Sequence, residues 1–209
     1  MSLTRQAISD GADSLGWRYV LGTLCMSVPS TSLNHSIEIA AAAVAAGGSS
    51  ADEQLRVDPR PDRVDLILGA DLALAERIST ALAEQVPAAV PGPRGRSVQL
   101  LEIGIDALDI PAILPFWRAV LAYVGEDGDL ADPVGQGPAI WFQQMTEPRP
   151  QRNRIHFDVS VPHDEAPARI RAALDAGGVL VSDAHAPAWW VLADAEGNEA
   201  CVSTWQGRD

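Results

Sequence analysis

Two stretches decide the fold. The first is Leu101-Glu102-Ile103-Gly104-Ile105-Asp106-Ala107-Leu108-Asp109, followed by Pro115-Phe116-Trp117-Arg118-Ala119-Val120-Leu121. The second is Ile155-His156-Phe157-Asp158-Val159-Ser160-Val161-Pro162-His163-Asp164, followed by Ala168-Arg169-Ile170-Arg171-Ala172-Ala173-Leu174. Each reads as a strand, a short turn and an amphipathic helix. Each is then followed by further strand patterns, with Ala139 to Met145 closing the first copy and Glu199 to Trp205 the second. A pattern that recurs after some fifty residues is a structural repeat, and here it reads as two βαβββ modules in tandem.

Upstream of the repeat the chain changes character. Gln85 to Ser97 holds three prolines and two glycines in thirteen residues, which neither continues a helix nor sits in a central strand. We place a linker at residues 87–97, between an N-terminal domain at 1–86 and a C-terminal domain at 98–209. The N-terminal part alternates helix and strand. Leu3 to Leu15 is helical and stops at Gly16, and Trp17–Val20 and Thr23–Val28 form a hairpin about Leu21-Gly22. Ser32 or Asn34 caps an Ala-rich helix closed by Gly47-Gly48, Val64–Leu68 is a strand, and Asp71 caps a last helix to Glu84. Val57 to Asp62, broken by Pro59 and Pro61, is expected to be a loop. The expected class is α+β: an αββαβα domain with a small antiparallel sheet, then the paired modules.

Charge limits the partners. All fifteen basic residues are arginine, against twenty-eight acidic ones, for a net charge of −13. After Arg96 there are seven arginines and seventeen acidic residues, a local net charge of −10. Such a field repels phosphate backbones and anionic membrane surfaces, so nucleic acid and membrane are not expected partners. No apolar run reaches the roughly 20 residues of a membrane span. Without a charged-then-apolar leader pattern, the cytoplasm is the expected compartment. Two cysteines, Cys25 and Cys201, are expected to stay reduced there. Exposed strand edges make homodimer pairing an option.

The second part resembles the glyoxalase-like branch of the vicinal oxygen chelate superfamily over about residues 97 to 207. The resemblance rests on Phe116-Trp117-Arg118-Ala119-Val120-Leu121, Asn153-Arg154-Ile155-His156-Phe157-Asp158 and Val191-Leu192-Ala193-Asp194-Ala195-Glu196-Gly197-Asn198-Glu199. It implies a cleft lined by the inward residues of eight strands. In metal-dependent members, four positions face that cleft: one on the first and one on the last strand of each module. Carried over here, the first strands supply Glu102 and His156. The last strand of the first module supplies Gln143, or Gln144 if the register shifts by one. The last strand of the second supplies Cys201, where the family has Glu after Asp-x-x-Gly-Asn, with Glu199 two residues earlier on the same face.

That ligand set mixes hard and soft donors, so no cofactor is expected, with a divalent metal as the alternative. Without metal, Glu102 and His156 are the candidate catalytic pair for proton transfer, and Trp141, Gln143, Trp190, Glu199 and Cys201 are the candidate substrate-binding residues. The expected ligand is a small, partly apolar organic molecule, converted by lyase- or isomerase-type chemistry or bound without turnover. The segment Glu147-Pro148-Arg149-Pro150-Gln151-Arg152 is placed as a mobile lip over the cleft, with His163 and His185 on the surface.

The first part, residues 3 to 85, resembles a pterin-4a-carbinolamine dehydratase domain through Gly16-Trp17, the hairpin, Arg63-Val64-Asp65-Leu66-Ile67-Leu68 and Leu74-Ala75-Glu76-Arg77-Ile78. Family members carry a His-His-Pro run after the long helix and a Thr-His-Gly-Gly-type segment after the next strand. This chain has Gly47-Gly48-Ser49-Ser50-Ala51-Asp52-Glu53 after the helix and only Gly69 after Leu68, and its sole histidine here is His35. The resemblance therefore implies the fold without its proton shuttle, with 4a-hydroxytetrahydrobiopterin dehydratase activity as a further alternative.

Overall fold

In the computed structural model, which describes residues 3–85, 99–126, 128–148 and 155–207, the chain divides into units at 1–100 and 101–209. In the first unit α1 (Arg5–Ser14) starts at Thr4, whose hydroxyl accepts from the Ala7 amide at 3.2 Å. Behind it, Trp17 is fully buried and donates its indole N–H to Ser79 Oγ (2.9 Å), which in turn donates to the Leu15 carbonyl (2.9 Å). One buried aromatic with a satisfied polar end thus ties the end of α1 to the last helix of the unit.

Strands β1 (Arg18–Val20) and β2 (Thr23–Pro29) join through Leu21 and Gly22, both at positive φ (48° and 79°), as a two-residue hairpin turn demands. Helix α2 (Leu33–Gly47) is capped by Ser32, which accepts from the His35 amide, and ends at Gly48. The short α3 (Ser49–Gln54) leads into β3 (Leu55–Pro59) and β4 (Arg63–Gly69), and α4 (Leu72–Gln85) follows, with the Asp71 carboxylate accepting from Leu74 N at 3.0 Å.

The four strands form one antiparallel sheet in the order β1-β2-β4-β3. Leu24, Met26 and Val28 alternate with Val64, Leu66 and Leu68 beneath Ile39, Ala43, Leu74, Ile78 and Leu82, so the helices cover one face. The expected loop at residues 57–62 is corrected: β3 occupies its first half. It is the outer strand, where a proline leaves no ladder bond missing in the interior, and Pro59 is its last residue.

The second unit holds the repeat. Its first copy is β5 (Glu102–Ala107), α5 (Ile110–Leu121), β6 (Asp129–Leu130) and β7 (Ala139–Gln144), in the order β5-β7-β6. Its second is β8 (Phe157–Ser160), α6 (Ala166–Asp175), β9 (Val179–His185), β10 (Trp189–Ala193) and β11 (Glu199–Ser203), in the order β8-β11-β10-β9. In both copies the first strand lies parallel to the last, across the turn-and-helix connection.

The first copy is the shorter. Where the second has β9, the first has only the bridge Val124↔Ala131, so the eight expected strands are seven and a bridge among the described residues. One apolar core serves both copies: Ile105, Ile140 and Phe142 meet Ile113, Phe116, Trp117 and Val120 of α5, and Ala173, Leu192, Ala200 and Val202 join them. Trp117 sits edge-on to Phe116 (5.4 Å) and to Phe157 of the second copy (5.2 Å). Among the described residues, no helix is long and apolar enough to cross a membrane.

Candidate functional site

Because the side-chain period of a strand is two, burying one face of each sheet under the helices leaves the alternate residues on the other. On the first sheet the second set is Glu102, Gly104 and Asp106 of β5, in register with Ala139, Trp141 and Gln143 of β7. Glu102 and Gln143 are exposed, and Gln143 donates to the Gln144 carbonyl at 3.4 Å. Gln144 instead donates to the carbonyls of Leu108 (2.8 Å) and Met145 (2.9 Å), which makes it a brace for the strand end. Trp141, 39% exposed, lies across Gly104; a Cβ there would stand 2.9 Å from the indole.

On the second sheet this face carries Asp158 and Ser160 of β8, Glu199, Cys201 and Ser203 of β11, and Trp189 and Val191 of β10. Parallel pairing sets Asp158 beside Cys201, and His156, two residues before Asp158, returns to the same side. The His156 Nδ1 lies 3.4 Å from Asp158 Oδ1 and 3.9 Å from Cys201 Sγ. The side chains of His156 and Asp158 are about half exposed (52% and 59%), whereas Cys201 is buried. The site thus has a solvent-facing imidazole and carboxylate over a sheltered thiol.

Two residues along β11, the Ser203 hydroxyl is buried with no hydrogen-bond partner, one of two such side-chain atoms among the described residues. A buried hydroxyl without a partner is costly in a finished core.

Several expected site residues come together and others do not. His156, Cys201 and Glu199 share this face, and Trp141, Glu102 and Gln143 share the corresponding face of the first sheet. Glu102 is not a member of the close group that His156 forms with Asp158 and Cys201. Trp190 is in register with Val202 and packs on the apolar core, while its neighbour Trp189 is in register with Ser203. His185 stacks on Trp189, with ring centres 4.3 Å apart, and His163 meets Trp205 edge-on at 5.5 Å. Asp158 is the addition that the structure makes. Arg149 and Arg152 of the lip, and the linker at 87–97, lie outside the described residues.

A shallow groove in the first unit, lined by Ala46, Glu76, Arg77, Thr80, Ala81 and Glu84, offers volume without chemistry. Its polar groups belong to helix surfaces, and among the described residues no imidazole or thiol lines it. The second sheet of the C-terminal unit brings an imidazole, a carboxylate and a thiol together.

The duplicated strand–helix–strand units, each with first and last strands paired in parallel, define an α+β domain of the paired-module type. Residues 102–203 match the family model described as a glyoxalase-like domain. Similar solved structures include a glyoxalase/bleomycin resistance protein/dioxygenase family enzyme from Burkholderia phytofirmans PsJN, 16% identical, with 49% of this chain and 95% of that one covered and a TM-score of 0.36. A glyoxalase/bleomycin resistance protein from Catenulispora acidiphila is 14% identical, with 51% and 98% covered and a TM-score of 0.36. A glyoxalase-related enzyme from Fulvimarina pelagi is 17% identical, with 52% and 88% covered and a TM-score of 0.37. No curated protein matches the chain.

Proposed function

We propose that the C-terminal domain binds a small, partly apolar organic molecule against the open faces of its two sheets, with His156 as the group that moves a proton on it. The observation that carries this reading is the placement of His156. Its ring is half exposed, and its Nδ1 is met by the Asp158 carboxylate at 3.4 Å. A carboxylate at that distance orients the imidazole, and a half-exposed ring held in one orientation is the arrangement that proton transfer to a bound ligand needs. Val191 and Trp189 supply apolar surface beside it. Glu102 and Gln143 are the polar groups that the first sheet offers, and Trp141 is its flat apolar wall.

Exposure favours a second reading, binding without turnover. Proton-transfer groups gain most where water is excluded, and both His156 and Glu102 are open to solvent. A domain that sequesters its ligand has no need of that exclusion. The N-terminal unit is read as a dehydratase-like fold without the catalyst: the Nδ1 of His35 faces the amide (3.3 Å) and hydroxyl (3.2 Å) of Thr31, at the start of its own helix.

The test is to map binding of a fragment set of catechols, hydroxyketones and 2-oxo acids onto the full chain by amide and side-chain NMR. The expected result is shifts concentrated at His156, Val191 and Cys201, with proton exchange at a substrate carbon lost in His156→Ala if there is turnover. Shifts scattered over the surface, or gathered in the first unit, would overturn the reading.

A further inference from the structure

The three side chains around His156 converge in a way that a proton relay does not require. In a thiol–imidazole–carboxylate relay, acid and thiol sit on opposite ring nitrogens, so that the ring passes a proton between them. Here Asp158 Oδ1 (3.4 Å) and Cys201 Sγ (3.9 Å) both approach the same atom, Nδ1. One ligand atom from each residue lies within 4.8 Å of the other two. A tetrahedral zinc ion with bonds of about 2.0 to 2.3 Å holds its ligand atoms about 3.4 to 3.7 Å apart, so small side-chain rotations close the set.

We propose that His156, Asp158 and Cys201 form a zinc-class divalent metal site built on the second module alone. Zinc is a borderline ion that, like its cobalt substitute, takes nitrogen, oxygen and sulfur donors, so the mixed hard and soft character that told against a metal on the family-implied set does not exclude one here. Thiolate and carboxylate together neutralise the ion, and the thiol gives up its proton on binding. His156 and Asp158 are open to solvent, so the fourth position faces outward, as in three-ligand zinc sites that keep one place for water or substrate.

This site differs from the ring of four that the family resemblance implies. That ring takes ligands from both modules, and Glu102 would belong to it. The close group here replaces that contribution with Asp158, two residues after His156 on the same face. The site takes His156 and Asp158 from the proposed function, so metal-bound and proton-transferring forms exclude each other at that ring, and ion binding is read separately, without any organic ligand.

The full chain, stripped by chelator, is titrated with Co2+ and with Zn2+ against a chromogenic competitor. The expected result is a thiolate-to-cobalt charge-transfer band in the near ultraviolet at one ion per chain. The band persists in Cys25→Ser and vanishes in Cys201→Ser. Zinc affinity falls at least about tenfold in His156→Ala and in Asp158→Asn, and stays within about twofold in Glu102→Gln. If Cys201→Ser fails to fold by circular dichroism, the solvent-facing His156→Ala carries the same test through loss of the band. The proposal is overturned by folded wild-type protein with no such band, or by Glu102→Gln weakening zinc as much as Asp158→Asn, which would place the ion in the two-module ring. Loss of fragment binding with the cobalt band intact would count against the proposed function alone.

Discussion

Trp117, in the helix of the first module, donates its indole N–H at 2.9 Å to the carboxylate of Asp194 in the second, and both residues are buried. The same carboxylate accepts from the amides of Glu196 (3.0 Å) and Asn198 (2.8 Å) and from the Asn198 side chain (2.8 Å). The Asp-x-x-Gly-Asn turn is thus a polar node that locks the two repeats at one point. Removing the acceptor strands several donors at once. Asp194→Ala is expected to cost about 3 kcal/mol in urea unfolding of the full chain, whereas Trp117→Phe, which removes one donor and leaves the ring packing, costs about 1 to 2 kcal/mol. A loss below about 1 kcal/mol for Asp194→Ala would show that the node is dispensable.

A second tie runs through Glu196. Its carboxylate accepts from the amides of Leu108 (2.9 Å) and Asp109 (2.6 Å), where the first module turns from β5 into α5. Both are amides at a helix start, and a carboxylate there also meets the positive end of the helix dipole. Glu196→Ala is expected to speed hydrogen exchange at those two amides and to lower stability by about 1 kcal/mol. Unchanged exchange at Leu108 and Asp109 would argue that water replaces the carboxylate without loss.

Gly104 governs where Trp141 lies. A Cβ at residue 104 would come within 2.9 Å of Trp141 Cζ2 and 3.0 Å of Cε2, closer than real side chains approach. Gly104→Val is therefore expected to lift the indole off β5 while leaving the core on the far face of the strand intact. Its indole N–H resonance moves toward the position of a solvent-exposed tryptophan, with a stability change under about 1.5 kcal/mol. An unmoved resonance would mean that strand and ring shift together.

Cys25 supplies a pH signature in the first unit. Burial pushes its thiol above the ordinary 9.0; the Thr23 hydroxyl at 3.6 Å and the charge of Arg56 pull downward, and Asp65 adds to the rise. The folded state therefore holds the thiol proton more tightly than the unfolded one. This contribution is complete below the ordinary value and is lost as pH rises through the folded value. Thermal unfolding followed from about pH 8 to pH 10.5 should show a decline for the wild type that is shallower in Cys25→Ser. Identical slopes would remove the thiol from the account.

The repeat was legible because both copies bury the same faces, so strand and helix patterns recur with their helices in step. His156 is picked out by its repeat-equivalence to Glu102, and Cys201 by what the family resemblance implies after Asp-x-x-Gly-Asn. What stayed hidden depends on register across strands, which no local pattern carries. Asp158 looked like one of many surface carboxylates until parallel pairing set it beside Cys201. Trp189 and Trp190 are adjacent aromatics of equal character, and only their pairing with Ser203 and Val202 sends one to the open face and the other to the core. Residues 55 to 59 form a strand in spite of Pro59, because Leu55 and Val57 pack on the core while Arg56 and Asp58 alternate with them. The weak strands of the first copy follow from its chemistry, since the segment from Val124 to Leu130 contains two glycines and three acidic residues.

The central claim is that His156, Asp158 and Cys201 meet at one functional point on the open face of the second module. A crystal of the full chain grown with zinc, with diffraction recorded on both sides of the zinc absorption edge, tests it directly. An anomalous peak is expected within about 2.3 Å of Cys201 Sγ, in bonding contact with His156 and Asp158. A peak bridging Glu102 and Gln143 to His156, or no peak at Cys201 in zinc-saturated crystals, would contradict it.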